Sequence, residues 1–356
     1  MKILLVIIVI LSVSCLEGFS QRKLIHDSIE VIEIDNSIFT RDKYWRGADG
    51  AATVDLGDNR ILWLFSDTFV DVEGTGKRSN STMIRNSIGI QNGTDIEKAT
   101  IKFYHKGSRN NPEDFFKIPG DTWFWIGHGM LVKDQLIIFL FEEENTGEGL
   151  GFQAVGWYMV IIDNPSEDPL NWDIEYFKGP EPTDILAGSS AVLRDSTYLY
   201  AYGVKEPATH EVYLIRFEIE ELLSGNFLSM DWWAADQWVN NLGKAPEGAV
   251  LFKGQTEFSV HYHKEIEMYI QVQTYGFGKA RLGYRLASRP QGPWTDSVLF
   301  YEPILEEHQE FVYSANTHPE LLTDGILITY NVNSYDFGKL VNNESIYFPR
   351  FIRLKF

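Results

Sequence analysis

The sequence predicts an all-β protein, specifically a five-bladed β-propeller, on three observations. Short runs of β-branched and aromatic residues, broken by Gly, Asp and Asn, recur along the whole chain. One hairpin pattern appears five times at intervals long enough for a four-stranded sheet. Each end of the chain also carries a strand with no local hairpin partner.

The elements follow in order. Lys2, the apolar run Ile3 to Leu11 and then Ser-Val-Ser-Cys read as a secretory signal, too short for a spanning helix. Residues 1–20 are assigned to it and 21–356 to a single propeller domain. Cleavage before Cys15 would leave a lipid-bearing cysteine, although Ser12 fits a lipobox only loosely. Cleavage after Ser20 would release a soluble exported protein; either product is periplasmic, outer-membrane-anchored or extracellular. Next, "SIEVIEIDNSIF" alternates as a strand, and Glu30 to Ile34 is expected to pair with the last strand near Phe351. That pairing completes the last blade and removes two open edges.

The first hairpin is "YWRGADGAATVDLGDNRILWLFSDTFV", residues 44 to 70. Its relatives cover 125–144, 186–205, 254–274 and 315–334. Each opens on small or polar residues, becomes apolar, turns on charge or Gly, and returns to polar residues. Their expected starts, Asp49, His128, Ser189, Glu257 and His318, lie 79, 61, 68 and 61 residues apart. Helical periodicity is confined to "IEELLSGN" around Ile219 to Leu223, one or two turns.

Composition narrows the partners. Hydrophobic residues make up 44% and aromatics 14% of the 356 residues, enough for a sizeable core. A formal charge of -19 repels phosphate backbones and anionic headgroups. Nucleic acid and membrane surfaces are therefore poor partners, a lipid anchor apart, and a neutral substrate on a monomeric protein suits better. Cys15 is the only cysteine, so the folded domain has neither disulfide nor thiol nucleophile. The Asn80, Asn92 and Asn343 sequons read as chance matches in an Asn- and Ser-rich chain.

In a propeller the first strand of each blade lines the axis, and antiparallel pairing returns the end of the second strand beside the start of the first. The polar ends of all five hairpins then share one face, a funnel. A three-residue loop Gly57-Asp58-Asn59 would set Asp49 opposite Asp67, with Cβ atoms about 5 Å apart. A two-residue loop would put them on opposite faces. Two close carboxylates repel, so one holds its proton, which is the division of labour that glycosidic cleavage needs. The competing reading is that both aspartates only cap turns. Glu257, at a strand start, is a candidate proton donor. Arg46, Trp125, His128, Asn316, His318 and Glu320 are the candidate sugar contacts, with Trp123 a second stacking surface. His261 and His263 share a strand face but lack a third metal ligand. No cofactor is required, and nothing supports a structural Ca²⁺. "GEGLGF" from Gly147 precedes a strand rather than a helix, so it reads as a rim loop.

"RGADGAATVDLGDNRILWLFSDTF", "YSANTHPELL" with "ILITYNVNS", and "ASRPQGPWTD" together resemble secreted bacterial five-bladed propellers of the glycoside-hydrolase type. The similarity is to poorly characterised families with Ala-Asp-Gly and Gly- or Ser-Asp-Thr-Phe strands, related to endo-D-arabinanases. It implies a secreted glycosidase acting on a plant, algal or bacterial polysaccharide, with an arabinan-like chain as one candidate. Asp49 matches the axial base or nucleophile, Asp67 the second-strand aspartate and Glu257 the later acid. A non-catalytic glycan-binding propeller is the alternative. No Asn-Asp-Pro-Asn-Gly or Arg-Asp-Pro motif of sucrose-cleaving enzymes occurs, which disfavours fructans.

Overall fold

Five antiparallel sheets succeed one another along the chain. The computed structural model describes residues 29–355 apart from 148–150, 208, 228 and 242. The expected signal segment and Cys15 lie outside the described residues. The first blade is built on Trp45–Asp55, Arg60–Asp71, Ser87–Asn92 and Thr100–Tyr104. The second uses Trp123–Val132, Gln135–Asn145, Phe152–Ile162 and Ile174–Lys178. The third begins with Ile185–Arg194, Tyr198–Lys205 and Glu211–Glu218, and extends through Asp231–Ala234 and Gln237–Asn240. The fourth is Ser259–His263, Met268–Tyr275, Arg281–Ala287 and Val298–Tyr301.

The fifth blade takes Glu310–Thr317, Ile326–Ser334 and Arg350–Lys355 from the C-terminal part, and Glu30–Ile34 from the other end. Ile34 faces Phe351 in that pairing, which is the expected closure. A short helix, Ser37–Thr40, follows at once and buries Phe39 completely. Phe39 stacks on Phe351 at 5.3 Å and meets Trp63 edge-on at 5.0 Å. The closing strand is thus pinned by an aromatic side chain touching both the first and last blades. Burying such a ring contributes roughly 1.5–3 kcal/mol. The helix expected at Ile219–Leu223 is present.

The axial strands are not regular. Irregular pairing interrupts the first blade between Trp45 and Ala52, the second between Ile138 and Leu140, the third between Ala187 and Ala191, and the fifth between Tyr313 and Asn316. The offset is one residue in the first, second and fifth blades and three residues, Gly188 to Ser190, in the third, and each re-aims the side chains around it. Left-handed backbone marks several of them: Gly50 (φ 82°), Ala51 (φ 113°), Gly188 (φ 69°) and Ser314 (φ 53°). A Cβ on Gly127 would lie 2.6 Å from the Gly188 carbonyl oxygen. The second and third blades therefore touch backbone to backbone at the axis.

The bulges also shift the expected hairpin starts. The axial strands begin at Trp123, Ile185 and Glu310, so His128 and Ser189 lie well inside their strands and His318 lies just past the end of its own. Hairpin similarity alone puts these residues at the rim. The extra residues in each bulge carry them deeper.

Candidate active site

The first hairpin turns as the three-residue alternative requires. Leu56 N–H donates to Arg60 O at 2.9 Å, leaving Gly57, Asp58 and Asn59 as the loop, all at positive φ. Farther along, Ala48 pairs with Thr68 and Gly50 with Phe65. Asp49 therefore stands against two residues, Ser66 and Asp67, on the opposite strand. The two aspartates are neighbours through this bulge rather than through a simple cross-strand pair.

Asp49 sits partly buried within a shell of phenols. The Tyr313 hydroxyl donates to Oδ1, and the Tyr347 hydroxyl lies 2.9 Å from Oδ2 and 3.1 Å from Asp67 O. Tyr347 reaches this point because its chain segment runs hard against the first strand: Ala48 N–H donates to Tyr347 O at 3.0 Å. A Cβ on Gly47 would come within 2.4 Å of that same oxygen. Asp49 holds its proton well above the usual carboxylate range. Loss of water is the main cause, followed by repulsion from Asp67 and Glu257, against which the Tyr347 hydrogen bond acts.

Asp67 is raised by burial but has partners that favour its charge. Arg85 Nη1 lies 3.3 Å from Oδ2, and the Trp125 indole N–H donates to Oδ1 at 2.9 Å. The mutual repulsion therefore falls on Asp49, and the pair carries one charge more readily than two. Arg85 is held by a cation–π contact with Trp123 at 4.2 Å. Trp125 meets Phe152 edge-on at 4.7 Å.

Glu257 enters from the segment before the fourth blade. Its carboxyl would lie 3.7 Å from a Cβ on Gly50, which places Glu257 against the residue next to Asp49. Burial pushes Glu257 up to about 7, opposed by a hydrogen bond with Ser314. Asn316 hydrogen-bonds Ser314 through its Oγ at 3.2 Å, and so supports the group that touches Glu257. A crevice of about 10 Å³ between Gly50, Gly127, Ser189, Glu257 and Asn316 leaves room for roughly one water molecule at this level.

The structure brings Asp49, Asp67, Glu257, Trp125 and, at one remove, Asn316 together. It does not bring the other expected contacts to them. Arg46 is 7% exposed and turns its guanidinium to Glu344 at 2.9 Å and to Asp42 O at 3.0 Å. His318 is 1% exposed with both ring nitrogens engaged, by Thr53 at 2.7 Å and Thr329 at 2.8 Å. His128 and Glu320 line a separate axial cavity of about 420 Å³ with His261, Asp55 and Arg194. Asp55 and Arg194 border hairpin turns, so this cavity lies on the far side of the bulges from Asp49.

Four residues of the site lie outside the candidates that hairpin ends select: Tyr313, Tyr347, Arg85 and Glu143. Tyr313 opens the quoted "YSANTHPELL" motif and is legible there. Tyr347 and Arg85 come from connections between strands, where no periodicity points inward. Glu143 lies near the end of Gln135–Asn145 in the second blade; its neighbour Glu142 engages Thr122 and Lys178 instead. Glu143 is 3% exposed, leaves one carboxylate oxygen unpartnered, and is pushed up to about 8 by burial, Glu206 and Asp67. Among the described residues no three His, Cys, Asp or Glu side chains are disposed to hold a metal ion.

The chain belongs to the family described as "Domain of unknown function (DUF5005)", which matches residues 35–355. No curated protein matches the sequence. Among solved structures it is similar to a "putative hydrolase" from Bacteroides ovatus ATCC 8483, with 20% identity, a TM-score of 0.74, and coverage of 92% of this chain and 90% of the other. An endo-arabinase from Bacteroides thetaiotaomicron VPI-5482 is 12% identical at a TM-score of 0.48, covering 88% and 96%. A GH43_1 enzyme from Xanthomonas citri complexed with xylotriose is 12% identical at 0.45, covering 94% and 92%. The five-bladed resemblance drawn from the motifs holds at the level of fold.

Proposed function

We propose that the protein is a glycoside hydrolase acting on a neutral polysaccharide, with Asp49 as base or nucleophile, Glu257 as proton donor and Asp67 as charge partner. One observation carries the reading: Asp49, Asp67 and Glu257 come from three chain segments and meet where Asp49 feels the other two charges. Holding like charges together destabilises a fold, and such pairs recur where acid and base roles must be divided. Glu257, at about 7, is protonated at mildly acidic pH and can donate to a leaving sugar oxygen. Positive charge developing on the sugar ring would favour ionised Asp49, already receiving two phenolic hydrogen bonds. Arabinan-type chains head the list of substrates because the motifs resemble those propellers. The basic start and apolar run after Lys2 support export, which mass spectrometry of the mature N-terminus tests; a chain retaining Met1 would refute it.

One observation favours the non-catalytic alternative: both oxygens of Asp49 are already occupied by tyrosine hydroxyls. Reducing-end release from a panel of arabinans, xylans and other neutral glycans separates the two readings. A hydrolase gives products with wild type and loses them in Glu257→Gln. Its rate also falls as pH rises through about 7, because the donor must be protonated. Retention of polymer without any product would leave only the binding role.

A further inference from the structure

Asp49 is also the inner end of a run of aromatic rings. Tyr313, which donates to it, lies 5.3 Å from Phe311 between ring centres. Phe311 stacks on Tyr335 at 4.4 Å and 23°. Phe277 follows, 6.4 Å from Phe311 at 20° and 5.9 Å from Tyr335. The outer rings stand in solvent: Phe277 is 81% exposed and Tyr335 51%, with Phe337 at 59% nearby in sequence.

These rings come from two blades. Phe277 lies in the connection between Met268–Tyr275 and Arg281–Ala287, and Tyr335 directly follows Ile326–Ser334. Both connections leave the outer end of a second strand, the end beside the start of the axial strand, so both belong to the face that carries Asp49. Val312 N–H donates to Gly278 O at 3.1 Å, tying the Phe277 loop to the axial strand of the fifth blade. The ring is exposed although its backbone is anchored. A contiguous exposed apolar patch of this kind marks a binding surface.

We propose that Phe277, Phe311 and Tyr335 form a stacking platform for successive sugar rings of a neutral glycan chain whose reacting unit lies at Asp49. The inference deepens the hydrolase reading and rests on it for the position of the reacting unit. Three considerations select a sugar chain. The platform joins the carboxylate site directly through Tyr313. Its flat faces match the apolar C–H faces of sugar rings. Its area is also too small for a protein partner: rings that bury about 150–250 Å² each fall short of the roughly 800 Å² per side of a stable interface. The carboxylates clustered around Asp49 and the charge of -19 disfavour an anionic chain. A platform this far from Asp49 is useful only to a substrate several units long.

The test uses the full chain in an Asp49→Asn background, so that a bound polymer is not cut. Affinity electrophoresis is run against linear arabinan, arabinoxylan and polygalacturonan. At least one neutral polymer should retard the protein, and adding Phe277→Ala with Tyr335→Ala should weaken that retardation by about fivefold or more. The melting temperature should fall only slightly, since Phe277 is exposed and Tyr335 is half-exposed. Equal retardation of the double variant overturns the platform, as does preference for polygalacturonan or failure of every neutral polymer to bind. Self-association of wild type that the double variant abolishes would assign the patch to a second copy and also overturn it. The hydrolase reading is scored separately, by product release from wild type. Polymer bound through these rings but never cut would sink hydrolysis and keep the platform.

Discussion

The two ends of the propeller axis solve the same problem with opposite chemistry. Above the bulges stand Asp49, Asp67 and Glu257, carboxyls that burial pushes upward. Below them stand His128, His261 and His318, imidazoles that burial pushes down to about 4, 3 and 3. These side chains are buried at both ends, so each set drifts towards its uncharged form. The difference lies in the partners. His318 has both nitrogens satisfied by hydroxyls and packs 4.9 Å from the Trp63 ring, which is how a structural group is held. Asp49 instead stands against two other carboxyls that repel it, and of the three only Glu257 lines the one-water crevice beside them. Buried polarity that is fully satisfied reads as architecture, and buried polarity held in conflict reads as chemistry.

Substitution of one residue at each end should separate these roles. The largest effect is expected at the upper end, where Asp49→Asn preserves volume and removes the accepting charge. Turnover should fall by at least ~10²-fold, while the melting temperature changes little because the amide keeps the volume of a carboxyl that is already held protonated. An early melt with normal turnover would reverse the assignment. His318→Ala should do the opposite. It strands the Thr53 and Thr329 hydroxyls and should cost about 1–3 kcal/mol, measured by denaturant unfolding, with the rate on substrate little changed. Lost activity in a variant of undiminished stability would place His318 in the working site instead.

Gly47 sits between these extremes and tests how the upper end is assembled. At φ +108° and facing the Tyr347 carbonyl, it admits no side chain without displacing the segment that carries Tyr347. Gly47→Ala should therefore cost on the order of 1–3 kcal/mol and reduce turnover as well, since Asp49 loses a phenolic partner. Unaltered stability together with unaltered rate would show that the close approach is unimportant.

The pH dependence of stability gives the most diagnostic effect. The histidines have folded pKa values below 6.5, so their contribution is complete above that value and is lost as pH falls towards 3. Glu257 has a folded pKa above its unfolded 4.5; its contribution is complete below 4.5 and is lost as pH rises through about 7. A pKa that moves by one pH unit on folding corresponds to about 1.4 kcal/mol before solvent relaxation. Melting temperatures from pH 4 to 8 should show an alkaline decline that Glu257→Gln flattens and an acid decline that His261→Asn flattens. If neither substitution changes its own limb, the two ends do not differ in the way described.

The legibility of the site follows the same division. Asp49, Asp67 and Glu257 could be picked out because each sits where an apolar run gives way to small or polar residues. Arg46, His318 and Glu320 met the same criterion and lie elsewhere, engaged with Glu344, with two threonines, and with the lower cavity. Proximity to a hairpin end selects candidates but does not orient them. Glu142 and Glu143 make the point within one strand: adjacent residues face opposite sides, and a pairing irregularity falls between them.

The sequence by itself determined the five hairpins, their spacing, and the pairing of Glu30–Ile34 with the strand at Phe351. Alternating hydrophobicity and turn residues are local properties, and an unpaired strand at each end leaves one economical closure. Only the tertiary structure decided which polar groups meet. Strand side chains alternate with a period of two, so an odd number of extra residues, one at Gly50–Ala51 and at Ser314–Ala315 and three at Gly188–Ser190, reverses which ones face the axis. Tyr347 and Arg85 reach Asp49 and Asp67 from connections whose course is set by packing between blades, and contacts made across the ring leave no periodic trace in the chain.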